Sequence, residues 1–169
     1  MADRKIYVYA DLDGTIHHVG LLWARLIREK ECSSFQYEKS WLSSPEQFSL
    51  EPALSLGECT YHTDANRNLF GALGDSAPDR WGRILMRRAA AALARTSKTP
   101  TRTLTEADYL LGVCDEARQG ALRFSETVPR RIDKYLICLN TLTKQFCQRF
   151  VCRNRADNRR RISSSFFLS

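Results

Sequence analysis

The chain has 169 residues, 43% of them hydrophobic and 27% charged, with a formal net charge of +7. That length supports one domain with a sizeable core, and no apolar run reaches the roughly 18 to 20 residues that a membrane-spanning helix needs. The opening MADRKIYVYAD meets charge before any apolar stretch of secretory length, so a cytoplasmic protein is expected.

The charge is unevenly placed. Residues 126–169 hold ten Lys/Arg against three Asp/Glu, which leaves 16 of each sign in residues 1–125. Any attraction of the net charge for acidic partners is therefore assigned to the last quarter of the chain. The six cysteines, Cys32, Cys59, Cys114, Cys138, Cys147 and Cys152, form no CxxC pair, and no histidine stands at zinc-finger distance from two of them. Free thiols are expected, with no metal site.

Residues 5–11 alternate as a strand, with Ile6, Val8 and Ala10 on one face and Tyr7 and Tyr9 on the other. A second strand-like run covers Ile16 to Leu26, with Val19, Leu21 and Trp23 at period two. Between them Asp13-Gly14 supplies residues that tolerate the positive φ of a tight turn, a strong hairpin pattern. Cys32 to Tyr37 reads as a third strand, with Phe35 and Tyr37 on one face.

Ser40-Trp41-Leu42 looks like one helical turn, and Phe48 to Leu56 looks irregular. Asp64 is placed to cap a short helix from Ala65 to Leu73. In Asp75-Ser76-Ala77-Pro78-Asp79-Arg80-Trp81, an Asp or Ser cap, a first-turn proline and an early acid open the clearest helix. Trp81, Ile84, Leu85 and Arg88 continue one of its faces, and Ala89 to Ala94 propagate it. Thr103 to Glu106 has a capping-box pattern and opens a helix through Leu111. Gly120 to Phe124 reads as a strand. Tyr135, Leu139, Leu142, Phe146 and Phe150 trace a basic amphipathic helix, followed by the arginine-rich Arg153 to Arg161.

The expected fold class is α+β: a small antiparallel β-sheet or partial barrel with packed helices, followed by a basic, partly helical tail. Residues 1–125 form the domain and residues 126–169 the tail, read as divergent and disordered or frame-shifted.

Two local patterns invite chemistry. Asp11-x-Asp13-Gly14-Thr15 has the shape of the haloacid-dehalogenase-type phosphatase motif, in which Asp11 would attack phosphorus and Asp13 would move the proton beside a magnesium ion. That fold needs strand–helix alternation and a later acidic pair, yet the residues after Thr15 continue as strand. The turn reading is preferred. The second pattern, Asp75 to Arg83, crowds charge around Trp81 at a helix start. Acids at the positive helix end and arginines packed about a tryptophan explain it structurally, ahead of a binding role for Arg80 or Arg83. His17, His18 and His62 have no serine or cysteine partner at a recognisable spacing, and neither a P-loop nor a GxGxxG motif is present.

Taken in order, IYVYADLDGTIHHVGLLW, SSFQYEKSWL, LEPALSL, LFGALGDSAPDRWGR and LTEADYLLGVCDEARQGALRF resemble the N-terminal region of HipA-like serine/threonine kinase toxins. Those are the toxins of type II toxin–antitoxin modules, and the likeness runs from about residue 5 to residue 124. The resemblance implies a coupling subdomain whose GALRF strand leads into a kinase. It also implies, after that strand, a Ser/Gly-rich phosphate loop, a nucleotide-contacting lysine, a catalytic Asp with an Asn, and a metal-binding Asp. None of these motifs occurs between Glu126 and Ser169. Phosphoryl transfer needs phosphate, metal and base positioned together, so no catalytic, cofactor-binding or metal-binding residue is assigned and no cofactor is expected.

The leading expectation is a non-catalytic N-terminal portion of such a toxin, truncated or frame-shifted near Val128, that contacts an antitoxin protein or a kinase lobe. A surface left bare by the missing lobe would favour self-association. The alternative is a binding module whose basic tail takes nucleic acid or an anionic membrane. The phosphatase comes last.

Overall fold

In the computed structural model, which describes residues 3–27, 30–64, 67–115 and 118–128, the chain opens on a long antiparallel hairpin. It is made of β1 (Arg4–Leu12) and β2 (Thr15–Ile27). Leu12 pairs with Thr15, so Asp13 and Gly14 alone make the turn. Their φ angles of 50° and 83° are both left-handed, the geometry that matches the twist of the flanking strands.

Three more strands complete the sheet: β3 (Lys30–Tyr37), β4 (Thr60–His62) and β5 (Leu122–Ser125). Their order is β4-β3-β2-β1-β5, with every neighbouring pair antiparallel. The sheet is open, because β4 and β5 are its two edges and do not meet. The partial-barrel alternative is set aside.

One face carries the core. Directly opposed residues make rows across it: Ile6, Leu22, Phe35 and Tyr61 in one, and Phe124, Val8, Gly20 and Tyr37 in the next. Ile6, Val8, Leu22 and Phe35 are fully buried, each side chain stabilising the fold by roughly 1.5–3 kcal/mol relative to exposure. Gly20 is required in its row. A Cβ there would overlap the Gln36 carbonyl oxygen and the Phe35 ring.

The expected face of β2 needs a correction. The register shifts between Val8 and Tyr9, which pair with Gly20 and His18 and leave Val19 as an extra residue. A one-residue slip of parity sends each later side chain to the opposite face. Val19 is buried as expected, but beyond it Leu22 and Ala24 point into the core, while Leu21 and Trp23 are half-buried on the other side.

Among the described residues, four helices cover the core face or flank it: α1 (Lys39–Leu42), α2 (Gly71–Gly74), α3 (Arg80–Thr96) and α4 (Glu106–Gly112). Trp41 of α1, Leu73 of α2 and Ala107 and Leu110 of α4 join the sheet residues in one cluster, with Leu54 and Phe70 from the connections. Of the expected helix from Ala65 to Leu73, whose first two residues lie outside the described ones, residues 67–70 are non-helical and only the single turn α2 forms, with Phe70 before its first residue. Leu69 and Phe70 are spent as core plugs ahead of it.

Both longer helices start elsewhere than the sequence pattern places them. Asp79 is itself the cap of α3, accepting from the Gly82 amide at 2.7 Å, so Pro78 precedes the helix. For α4 the capping box is Thr105 with Asp108, two residues beyond the Thr103–Glu106 pattern. The displaced Glu106 instead binds Arg83. The expected amphipathic helix from Tyr135 to Phe150 lies outside the described residues.

Candidate functional site

The Asp11 carboxylate closes the first turn. Its Oδ1 accepts from the Gly14 amide at 3.1 Å and its Oδ2 lies 3.4 Å from the Arg123 guanidinium. β1, which carries it, runs between two antiparallel neighbours. A phosphatase of the expected kind sets its aspartates on loops at one edge of a parallel sheet, so that reading is overturned by the fold. Asp11 and Asp13 serve a hairpin.

Among the described residues, the histidines and cysteines gather into no metal-holding cluster. His17 lies 2.8 Å from Glu46, and His18 sits 5.1 Å from the Tyr9 ring. Burial pushes the His18 imidazole below its usual pKa, against the opposing pull of Glu38. His62 does have a serine partner, contrary to the reading from spacing: its Nδ1 is 2.8 Å from Ser34 Oγ. The two are direct cross-strand partners in the β3–β4 ladder, and Ser34 is buried. This is a sheet-stabilising pair. Cys32 and Cys59 are free thiols, Cys114 is buried, and among the described residues no three His, Cys, Asp or Glu side chains group to hold a metal.

The polar chemistry concentrates in a charged seam where the start of β1, the start of β3, the head of α4 and the end of β5 converge. Asp108 is its centre, with a side chain 5% exposed. It accepts from Arg4 at 2.6 Å, from Arg102 at 2.8 and 2.9 Å, and from the Thr105 amide at 2.9 Å. Burial by itself would raise the carboxyl pKa. The bonds from Arg102, Thr105 and Arg4 outweigh it and hold Asp108 at about 2. Glu31 reaches from β3 to the first amides of α4, those of Glu106 and Ala107, at 2.7 and 3.1 Å. Those amides have no partner within the helix, so the carboxylate satisfies them and favours the helix dipole.

Arg83 ties α3 to the same seam. It makes a two-pronged bond to Glu106 at 2.6 and 2.7 Å and stacks 4.7 Å from the Tyr109 ring centre. Both contacts are internal to the fold, in a segment where arginines packed about Trp81 are expected. The companion expectation for Trp81 fails, because Trp81 is 59% exposed and packs no charge cluster.

Arg118 is a second polar clamp, buried at 7% exposure. Its guanidinium donates to the carbonyls of Ser76, Leu110 and Val113 at 2.8 to 3.0 Å, pairs with Asp115, and lies 4.9 Å from the Phe124 ring centre. One side chain thereby joins the α2–α3 connection, α4 and β5. No motif or spacing announces Arg118, Glu31 or the Arg4–Asp108 pair, which is 104 residues apart in the chain.

The seam also fixes where the chain leaves the sheet. Arg4 donates to Glu126 at 2.7 and 2.9 Å, directly after β5. Ser125 Oγ then donates to the Thr127 carbonyl. Ile27 at the far end of β2 and Val128 at the exit are largely exposed. Such an arrangement holds and presents. It assembles no nucleophile, base and electrophile around one point.

A family model described as the HipA N-terminal domain matches residues 15–125. No curated protein and no solved structure matches the chain. Among the described residues, no helix is long and apolar enough to cross a membrane.

Proposed function

The chain belongs to the HipA N-terminal domain family, and on that premise we propose that it is the non-catalytic, coupling portion of a HipA-like serine/threonine kinase toxin of a toxin–antitoxin system. One observation carries the reading: β5 is an edge strand whose exit is pinned by the Arg4–Glu126 ion pair, at the residue after the family match stops. A domain built this way hands the chain on from a fixed point. Its charged side chains at the seam are spent on that fixation.

In this reading residues 1–125 are the coupling domain and residues 126–169 a divergent basic tail. The partner is a cytoplasmic antitoxin protein or a kinase lobe, which would cover exposed apolar side chains such as Ile27 and Val128. The turn to basic composition just past residue 125 supports a changed reading frame there. Translating the other two frames downstream of codon 128 checks it, and finding no phosphate loop and catalytic Asp in either removes it.

The direct test of the function is nucleotide binding and autophosphorylation by the purified chain with ATP and magnesium. Neither is expected. Saturable ATP binding would show that the chain carries catalytic machinery of its own and would sink the non-catalytic reading.

A further inference from the structure

The helix α3 holds five arginines and no acidic residue over its 17 positions. Arg83 faces inward to Glu106. Arg80, Arg87, Arg88 and Arg95 are exposed, and none makes an ion pair or side-chain hydrogen bond among the described residues. At 100° per residue these four fall within one arc of the helix, and Trp81 lies at the margin of that arc. Steps of seven residues, from Arg80 to Arg87 and from Arg88 to Arg95, put guanidinium groups about 10.5 Å apart along the axis. The opposite side, through Gly82, Met86 and Ala89, is half-buried toward the domain.

We propose that this outer face of α3 is a binding surface for single-stranded nucleic acid, with the four arginines on phosphates and Trp81 stacked on an unpaired base. The proposal does not rest on the coupling reading.

Charge complementarity narrows the occupant. Residues 126–169 are themselves strongly basic, so their net charge does not complement this face. A second copy is a poor fit too, because many of the domain's carboxylates, among them Asp11, Glu31, Glu106, Asp108 and Asp115, already bind its own cations or amides. A polyanion from outside remains. Insertion of α3 into a membrane would need its apolar side, and that side faces the domain. The exposed indole beside a row of arginines is the combination that tracks a flexible phosphate backbone and offers a platform to its bases.

The test uses the full chain and a fluorescent 20-nucleotide oligothymidylate, with binding followed by anisotropy over a salt series. The fourfold variant R80Q/R87Q/R88Q/R95Q keeps helix-forming residues, and circular dichroism checks that it is folded. Its binding should fall more than tenfold, and its log–log salt slope should flatten by about 2 to 3, near 0.7 for each phosphate no longer neutralised. Trp81→Ala should weaken binding by about tenfold with the slope unchanged. The same losses should recur in a background with Arg153, Arg155, Arg159, Arg160 and Arg161 changed to glutamine, which separates α3 from the tail. A folded fourfold variant that binds like the parent overturns the proposal. So does tighter binding to a duplex of the same length, to vesicles containing phosphatidylserine, or to polyglutamate at matched charge.

Discussion

Two sets of arginines in this domain differ in what their environment asks of them. Arg4, Arg83, Arg102 and Arg118 lie in the seam and the clamp, where each finds a carboxylate, and Arg83 and Arg118 find a ring face as well. Arg80, Arg87, Arg88 and Arg95 lie one helix surface away and meet none. The first set binds elements distant in sequence, and the planar, forked guanidinium suits it to that task. The second contributes charge without joining anything inside the domain. Net charge summed over residues 1–125 hides this division, because carboxylates elsewhere in the domain cancel the outer arginines in number without pairing with them.

The sharpest way to break the contrast is at the inner set. Arg118→Met should destabilise the domain by about 3–5 kcal/mol, because three buried carbonyls and Asp115 lose their donor at once. Urea unfolding followed by tryptophan fluorescence measures it, and a loss under about 1 kcal/mol would place the clamp outside the fold's essential contacts. Asp108→Asn should cost about 2–3 kcal/mol, since Arg4 and Arg102 are left facing an uncharged amide.

Acid provides the same test without mutation. The folded chain holds Asp108 at about 2, below the roughly 3.9 of an unfolded aspartate. Its contribution, about 2 kcal/mol, is therefore complete above pH of about 4 and is lost as pH falls through about 2. Stability measured across that range should lose this step in Asp108→Asn. The smallest effect belongs to the outer set. Each of Arg80, Arg87, Arg88 and Arg95 changed singly to glutamine should alter the unfolding free energy by less than about 0.5 kcal/mol. A larger loss would mean that these side chains hold the fold after all.

Local patterns are legible in the sequence wherever the deciding interactions are local. The Asp13-Gly14 turn needs two residues that accept positive φ, and that requirement is written at the two positions themselves. The alternation through Ile6, Val8 and Ala10 likewise reports a face directly. The bulge at Val19 is not legible, since it depends on how β2 registers against a strand with its own pattern. The helix starts are legible as regions but not as residues. Asp79 wins over Asp75, and Thr105 over Thr103, because several residues with capping side chains stand close together and tertiary partners choose among them: Glu106 is claimed by Arg83. The seam is invisible for a related reason. Arg4 and Asp108 carry no mutual spacing rule, and only the closing of the sheet brings them to 2.6 Å.

The Arg4–Glu126 contact has a mechanical meaning. β1 and β5 are antiparallel neighbours, with Tyr7 opposite Ser125, so Glu126 falls opposite Ile6 and the long Arg4 side chain reaches it from two residues further out, at one end of the ladder. Tension between those two points would not slide the strands along each other, a mode in which all their bonds resist together. It would peel β5 away one bonded pair at a time, beginning at the ion pair. Arg4 and Glu126 thus work as the catch on a zip: whatever pulls at residue 126 must open that catch before the sheet beneath it feels the load.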